Sequence, residues 1–183
     1  APAEVPETRL DIVTPAAVDP LSFAISPDGR NVVFQAGRDS PQLWLRSLDS
    51  EEARPLAGTD GAFYPFWSPD GRSVAFSADG ALKRIDLANG LVRTLAKRAP
   101  AGGTWNADGT ILIGSSIGPL YRVHADGGVI EAATTLLQGQ NTHRWPQFLP
   151  DGRRFLVYTL GVKDLRGVYL GSLGDTRVQR VSD

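Results

Sequence analysis

The sequence predicts an all-β fold of the β-propeller type, with four four-stranded blades and one extra strand near the N-terminus. Three observations carry this expectation. A short string recurs at near-constant spacing, an apolar run of strand length follows each copy, and no stretch sustains the apolar period of a helix. The string Ser26-Pro27-Asp28-Gly29-Arg30 returns as Ser68-Pro69-Asp70-Gly71-Arg72. It returns again, altered, as Asn106-Ala107-Asp108-Gly109-Thr110 and as Leu149-Pro150-Asp151-Gly152-Arg153. Counted from Asp28 through Asp70 and Asp108 to Asp151, the steps are 42, 38 and 43 residues. That is the period of a four-stranded blade.

The string suits a tight hairpin. Proline presets φ at the first central position of a type I turn, Asp follows, and Gly takes the left-handed position that closes the turn. Gly29 and Gly71 are therefore expected at positive φ. The four Asp side chains need no metal to explain them, because copies a blade apart do not converge as calcium ligands must.

After each turn comes the second strand of a blade, at 31–35, 73–77, 111–114 and 154–158. Third strands are expected at 43–48, 82–87, 120–124 and 168–173. Fourth strands follow at 53–56, 91–95, 129–134 and 177–181, set off by turn residues such as Asn89-Gly90. Ile25, Trp67, Trp105 and Phe148 stand just before the four turns, in one alignment column. A large apolar residue repeating at that place packs blade on blade, and this reading is preferred to an aromatic ligand platform. The blades span about 20–58, 59–98, 99–138 and 139–183. Residues 1–8, rich in Pro and Glu, read as a linker, and 9–14 alternates as a strand that belongs to no repeat.

Composition narrows the function classes. The 183 residues are 42% hydrophobic and 21% charged, a globular composition. Nineteen basic against twenty acidic side chains give a net charge of −1, which argues against a nucleic-acid partner. Cysteine is absent and there are two histidines, so thiolate metal sites, a cysteine nucleophile and a multi-histidine zinc site are not expected, nor is a cofactor. Methionine is also absent, so the expectation is a processed product or an excised piece. No apolar run reaches 18 residues, and no membrane insertion by this chain is expected.

The repeated hairpin followed by an apolar strand resembles TolB-like, WD-repeat-like bacterial β-propellers. Residues 19–34, Leu43-Trp44-Leu45-Arg46-Ser47-Leu48-Asp49 and 143–152 look most like the propeller at the C-terminus of many bacterial serine/threonine protein kinases. That resemblance implies an extracytoplasmic sensor or interaction domain, periplasmic or at the cell surface, with six or more blades in the ring. No kinase signature is present in the chain itself.

Two candidate sites emerge. The loops entering each innermost strand are Asp19-Pro20, 61–64, 101–103 and 141–145. They break the repeat and would surround one mouth of the central channel. Tyr64, His143, Arg144 and Trp145 supply contact chemistry common at binding hot spots, and all four are expected around that mouth, at least partly exposed. A protein, peptide or small molecule would bind there, while the bland alternative makes Arg144 an ion-pair partner and Trp145 a blade cover. The second candidate is catalytic. Gly114-Ser115-Ser116-Ile117-Gly118 matches the G-x-S-x-G pattern of serine hydrolases, with His124 or His143 as base. Its place between two short strands, with Pro119 behind it, favours a plain hairpin loop. A third reading makes the chain the accessory propeller of a peptidase.

Four blades also pose a question of closure. An open half-ring would leave two apolar faces in water, which is unfavourable by roughly 25 cal/mol per Å². The expectation is a homo-oligomer in which the open faces of two chains meet, as an eight-blade ring or a face-to-face pair, with or without exchange of the strand at 9–14. The alternative is a closed four-blade monomer.

Overall fold

Every Asp-Gly turn of the repeat reverses the chain between two strands, and in the computed structural model the result is four antiparallel sheets in succession. The structure describes residues 19–181. The linker at 1–8 and the strand expected at 9–14 lie outside the described residues. The first sheet holds β1 (Phe23–Ile25), β2 (Asn31–Ala36), β3 (Gln42–Ser47) and β4 (Ala53–Pro55). The second holds β5 (Phe63–Trp67), β6 (Ser73–Ala78), β7 (Ala81–Asp86) and β8 (Val92–Ala96). The third holds β9 (Gly103–Trp105), β10 (Thr110–Ile113), β11 (Tyr121–His124) and β12 (Glu131–Ala132). The fourth holds β13 (Gln140–Phe148), β14 (Arg154–Gly161), β15 (Gly167–Ser172) and β16 (Asp175–Arg180), with a 3-10 turn at Lys163–Leu165.

Strand order follows chain order in every sheet, as in propeller blades. β12 is shorter than the run at 129–134 suggests. Gly127 and Gly128 both take positive φ, and beyond Ala132 the Thr134 side chain turns to the Leu120 N–H instead of continuing the ladder.

The hairpins have the expected chemistry. Gly29 and Gly71 have φ of 70° and 68°. The Ser26 hydroxyl donates to Asp28 at 2.5 Å and accepts from the Asn31 N–H, while Asp28 accepts from the Arg30 N–H. Ser68, Asp70, Arg72 and Ser73 repeat this network in the second sheet. Donation from the Ser hydroxyl, then from the backbone, holds the Asp28 carboxyl below its ordinary range, and the Ser68 hydroxyl does the same for Asp70. In the fourth sheet Arg154 takes over, and its guanidinium holds Asp151 down to about 2. The altered third hairpin uses Asn106, which caps its own turn at Thr110 and reaches the Gly152 carbonyl in the fourth hairpin.

Strand period two gives each sheet two faces, and the cores lie between sheets. Val74 and Phe76 on β6 pack against Val33 and Leu43 of the first sheet, while Ala75 faces Ile111 and Ile113 of the third. Leu112 and Leu120 meet Phe155 and Val157 in the third junction. Trp67 is 8% exposed and its indole N–H donates to the Ala24 carbonyl at 3.0 Å. Phe148 is buried in the third junction and Trp105 half-buried in the second, so the column does pack blade on blade. Ile25, in the first blade, is 58% exposed.

Innermost strands pack β1 on β5, β5 on β9 and β9 on β13, but among the described residues no comparable packing joins the first and fourth sheets, so the four blades do not form the closed monomer. On the fourth sheet Leu156 pairs with Leu170 and Tyr158 with Val168, on the face turned away from the third. All four are only half-buried. Val32, Phe34 and Ala36, on the corresponding outer face of the first sheet, are buried. Among the described residues no helix is long and apolar enough to cross a membrane.

Candidate functional site

The innermost strands β1, β5, β9 and β13 line one concavity of about 950 Å³. It runs from Asp19, Leu21, Tyr64, Gly102 and Trp145 at the mouth to Pro27, Pro69, Ala107 and Pro150 at the hairpin end. Its wall is apolar, and Leu21, Phe23, Ile25 and Trp145 expose between 49% and 75% of their surface.

Tyr64 and Trp145 hold a conformation that bulky side chains avoid, with φ of 52° and 48°. Each precedes a proline, Pro65 or Pro146, which disfavours the right-handed helical alternative. Each also sits in a register shift of its strand, between Phe63 and Phe66 or between Arg144 and Gln147. Strain of this kind costs on the order of 1–3 kcal/mol and clusters at functional sites. The matching position in the third blade is Gly102, also at positive φ. A Cβ there would lie 2.6 Å from Cδ1 of Trp145, so the glycine makes room for the indole. On its other side Trp145 rests on Tyr158, ring centroids 5.9 Å apart. The Tyr64 N–H donates to the Ser22 hydroxyl at 2.8 Å, tying the second mouth strand to the first.

The other two expected mouth residues go elsewhere. His143 is fully buried, which corrects the expectation that it is exposed there. Its Nδ1 lies 2.8 Å from the Thr134 hydroxyl and its Nε2 3.1 Å from Gln140 Oε1. Thr134 already accepts from the Leu120 N–H, so its hydroxyl proton is available to Nδ1 and the ring proton sits on Nε2. This network needs a neutral imidazole, and burial pushes the His143 pKa down to about 4. Arg144 does not line the concavity. Its Nη2 donates to the Ser116 carbonyl at 3.0 Å, and it pairs with no acidic residue among those described.

The catalytic candidates are not brought together. Ser116 is exposed in a loop between β10 and β11 with no helix behind it, so the strand-to-helix elbow is missing. His143 is committed to Thr134 and Gln140, and His124 lies on β11 beside Asp126, 3.4 Å away. Neither histidine bonds to Ser116. Among the described residues no cluster of three His, Asp or Glu side chains could hold a metal.

Sequence reasoning missed Leu21 and Phe23 as lining residues, and it missed Arg98, whose guanidinium carbon lies 3.6 Å from the Tyr121 ring centroid. The sequence shows Ile25 only as a packing member of the repeated column. Nothing local marks Arg98.

The fold is that of TolB-like β-propeller proteins. It superposes on an Agrobacterium tumefaciens protein assigned as TolB with a TM-score of 0.74 and 19% identity, covering 86% of this chain and 63% of that one. An oligogalacturonate lyase of Vibrio parahaemolyticus gives 0.61 and 12% identity over 82% of this chain and 50% of its own. A puromycin hydrolase gives 0.61 and 20% identity, over 88% and 29% respectively. By sequence, the chain is 29% identical over 144 residues to an uncharacterised peptidase, YuxL, of Bacillus subtilis. It spans 21% of that relative's length. No protein-family model matches the chain.

Proposed function

We propose that this chain is a non-catalytic binding or scaffold part of a bacterial extracytoplasmic sensor, holding a protein, peptide or small ligand in the concavity of its innermost strands. The observation that carries the reading is the strained, half-exposed pair Tyr64 and Trp145 at the mouth of that apolar concavity. Backbone strain is kept at two matching positions where glycine or serine serves the other blades, so the blade repeat itself does not require it. The extracytoplasmic assignment, and the likeness to kinase-borne propellers, rest on sequence resemblance and on the TolB-like fold. Protein-observed NMR with a library of small organic fragments tests the reading. Shifts should cluster on Tyr64, Trp145 and β9, and Trp145→Ala should remove them. Fragments scattered over the surface would refute it.

A second reading is the propeller part of a hydrolase, since one relative is named a peptidase and one similar structure is a puromycin hydrolase. The chain spans under a third of either, so catalysis would reside in a domain beyond this sequence, or less simply in Ser116. Cleavage of a p-nitrophenyl ester by this chain, lost in Ser116→Ala, would promote the serine reading.

The half-buried outer face of the fourth sheet fits a second copy of the chain, which would complete a ring. Sedimentation at micromolar concentration should then give a species of about twice 19.6 kDa. A clean monomer would remove this proposal and leave the concavity reading standing.

A further inference from the structure

We propose that the loop at 114–118 and the two arginines flanking it, Arg98 and Arg144, form a binding site for an oxyanion, the carboxylate or phosphate group of a ligand. This is the segment whose G-x-S-x-G spelling the catalytic reading could not use. The loop is held from both sides by backbone bonds. The Ala101 N–H donates to the Gly114 carbonyl and the Gly114 N–H to the Gly102 carbonyl, on the side that carries Arg98. On the side that carries Arg144, the Ser115 N–H donates to the His143 carbonyl and the Gly118 N–H to the Asn141 carbonyl. The His143 N–H returns a bond to the Gly118 carbonyl. Both cations are thus delivered to one loop by fixed backbone.

Arg98 Nη2 reaches the Ser115 hydroxyl at 3.3 Å, and Arg144 Nη2 reaches the carbonyl of the next residue, Ser116, at 3.0 Å. Stacking on Tyr121 fixes the plane of the Arg98 guanidinium. These two charges are poorly satisfied. Each guanidinium has five N–H donors but among the described residues makes one hydrogen bond, to a neutral oxygen. The Nε of each is buried without a partner. Elsewhere Arg122, Arg154 and Arg177 pair with Glu131, Asp151 and Asp175, but among the described residues no acidic side chain pairs with Arg98 or Arg144. Two like charges anchored to neighbouring residues repel one another, and under-satisfied donors of this kind signal a missing acceptor.

The loop tip supplies more donors. Ser116 and Ile117 are exposed, with Ile117 at 81%, and no described protein group accepts from the Ser116 hydroxyl or from either N–H. Two guanidiniums, a hydroxyl and backbone N–H groups gathered at one loop are the donor types that recognise a carboxylate or phosphate. None of these residues lines the concavity, so the site stands apart from the fragment-binding test above.

The experiment is an NMR titration of the whole chain with inorganic phosphate, and separately with acetate, at constant ionic strength set by chloride. Saturable shifts are expected for the amides of 115–118 and the Nε–H signals of Arg98 and Arg144. Arg98→Gln and Arg144→Gln should each weaken binding by about tenfold, with spectra otherwise unchanged. If either glutamine variant loses the native spectrum, Arg98→Lys keeps the charge but not the stacked fork and should still bind more weakly. Arg93→Gln, exposed on β8, should bind as the parent does. Response to phosphate alone assigns a phosphate ligand, and response to acetate assigns a carboxylate. Shifts that never saturate with either anion, or saturable binding that no Arg98 or Arg144 variant weakens, would overturn the proposal. Trp145→Ala should leave this titration intact, which separates its failure from failure of the concavity reading.

Discussion

Trp67 and Trp145 belong to innermost strands of the same kind, yet one is spent on the fold and the other is not. Trp67 stands directly before a hairpin turn, 8% exposed, its N–H bonded to the neighbouring blade. Trp145 stands three residues further from its turn, 49% exposed and at positive φ. The difference divides every blade. Toward the hairpin the sequence repeats and its groups satisfy one another. Toward the mouth it varies, and there lie strained aromatics, arginines with no acidic partner among the described residues, and the buried histidine. A repeat scaffold keeps what stacks and varies what binds.

The comparison can be broken hardest at a junction. Phe76 is fully buried between the first two blades, and Phe76→Ala should lower unfolding stability by about 3–5 kcal/mol in urea. A loss under 1 kcal/mol would mean that the blade junction is not the core.

Acid should act next most strongly, and through the buried His143. The folded-state pKa of His143 lies near 4 against an ordinary 6.5. Between those values the unfolded chain binds the extra proton, so stability is full above pH 6.5 and falls as the pH drops toward 4. The loss is about 3 kcal/mol, from roughly 1.4 kcal/mol per unit. His143→Asn should flatten that part of the pH profile, and an unchanged profile would contradict the buried neutral network.

A smaller effect belongs to the turns. Gly71→Val forces a β-branched residue into left-handed backbone and should cost about 1–2 kcal/mol, with Gly29→Val similar. Open space around both glycines means that the cost is conformational and not a clash. Gly71→Asn should therefore recover part of it, and a thermal-unfolding series reads the ranking.

The fold was legible because its signal is covalently local and repeated four times. Ser-Pro-Asp-Gly specifies a turn through φ preferences and side-chain bonds within a few residues, so the strand order followed. Element ends were less legible, as at β12, where two glycines delay the strand. At the mouth the sequence showed which loops deviate but not where their side chains point. Successive residues His143, Arg144 and Trp145 go to the core, to the 114–118 loop and to the concavity, and the register shift between Arg144 and Gln147 breaks the simple alternation that would have foretold this. Arg98 was invisible because its partner Tyr121 lies 23 residues away in the chain, across the junction between the second and third sheets.

The account rests on the mouth being surplus to the fold, and the two tryptophans test it side by side. Urea unfolding of Trp67→Ala and Trp145→Ala should give unequal losses. Trp67→Ala should cost about 3 kcal/mol or more, because a buried indole and its hydrogen bond are removed. Trp145→Ala should cost less than about 1 kcal/mol, because half its surface already meets water. Equal losses, or a larger loss for Trp145→Ala, would make Trp145 a packing residue and contradict the assignment of the mouth to binding.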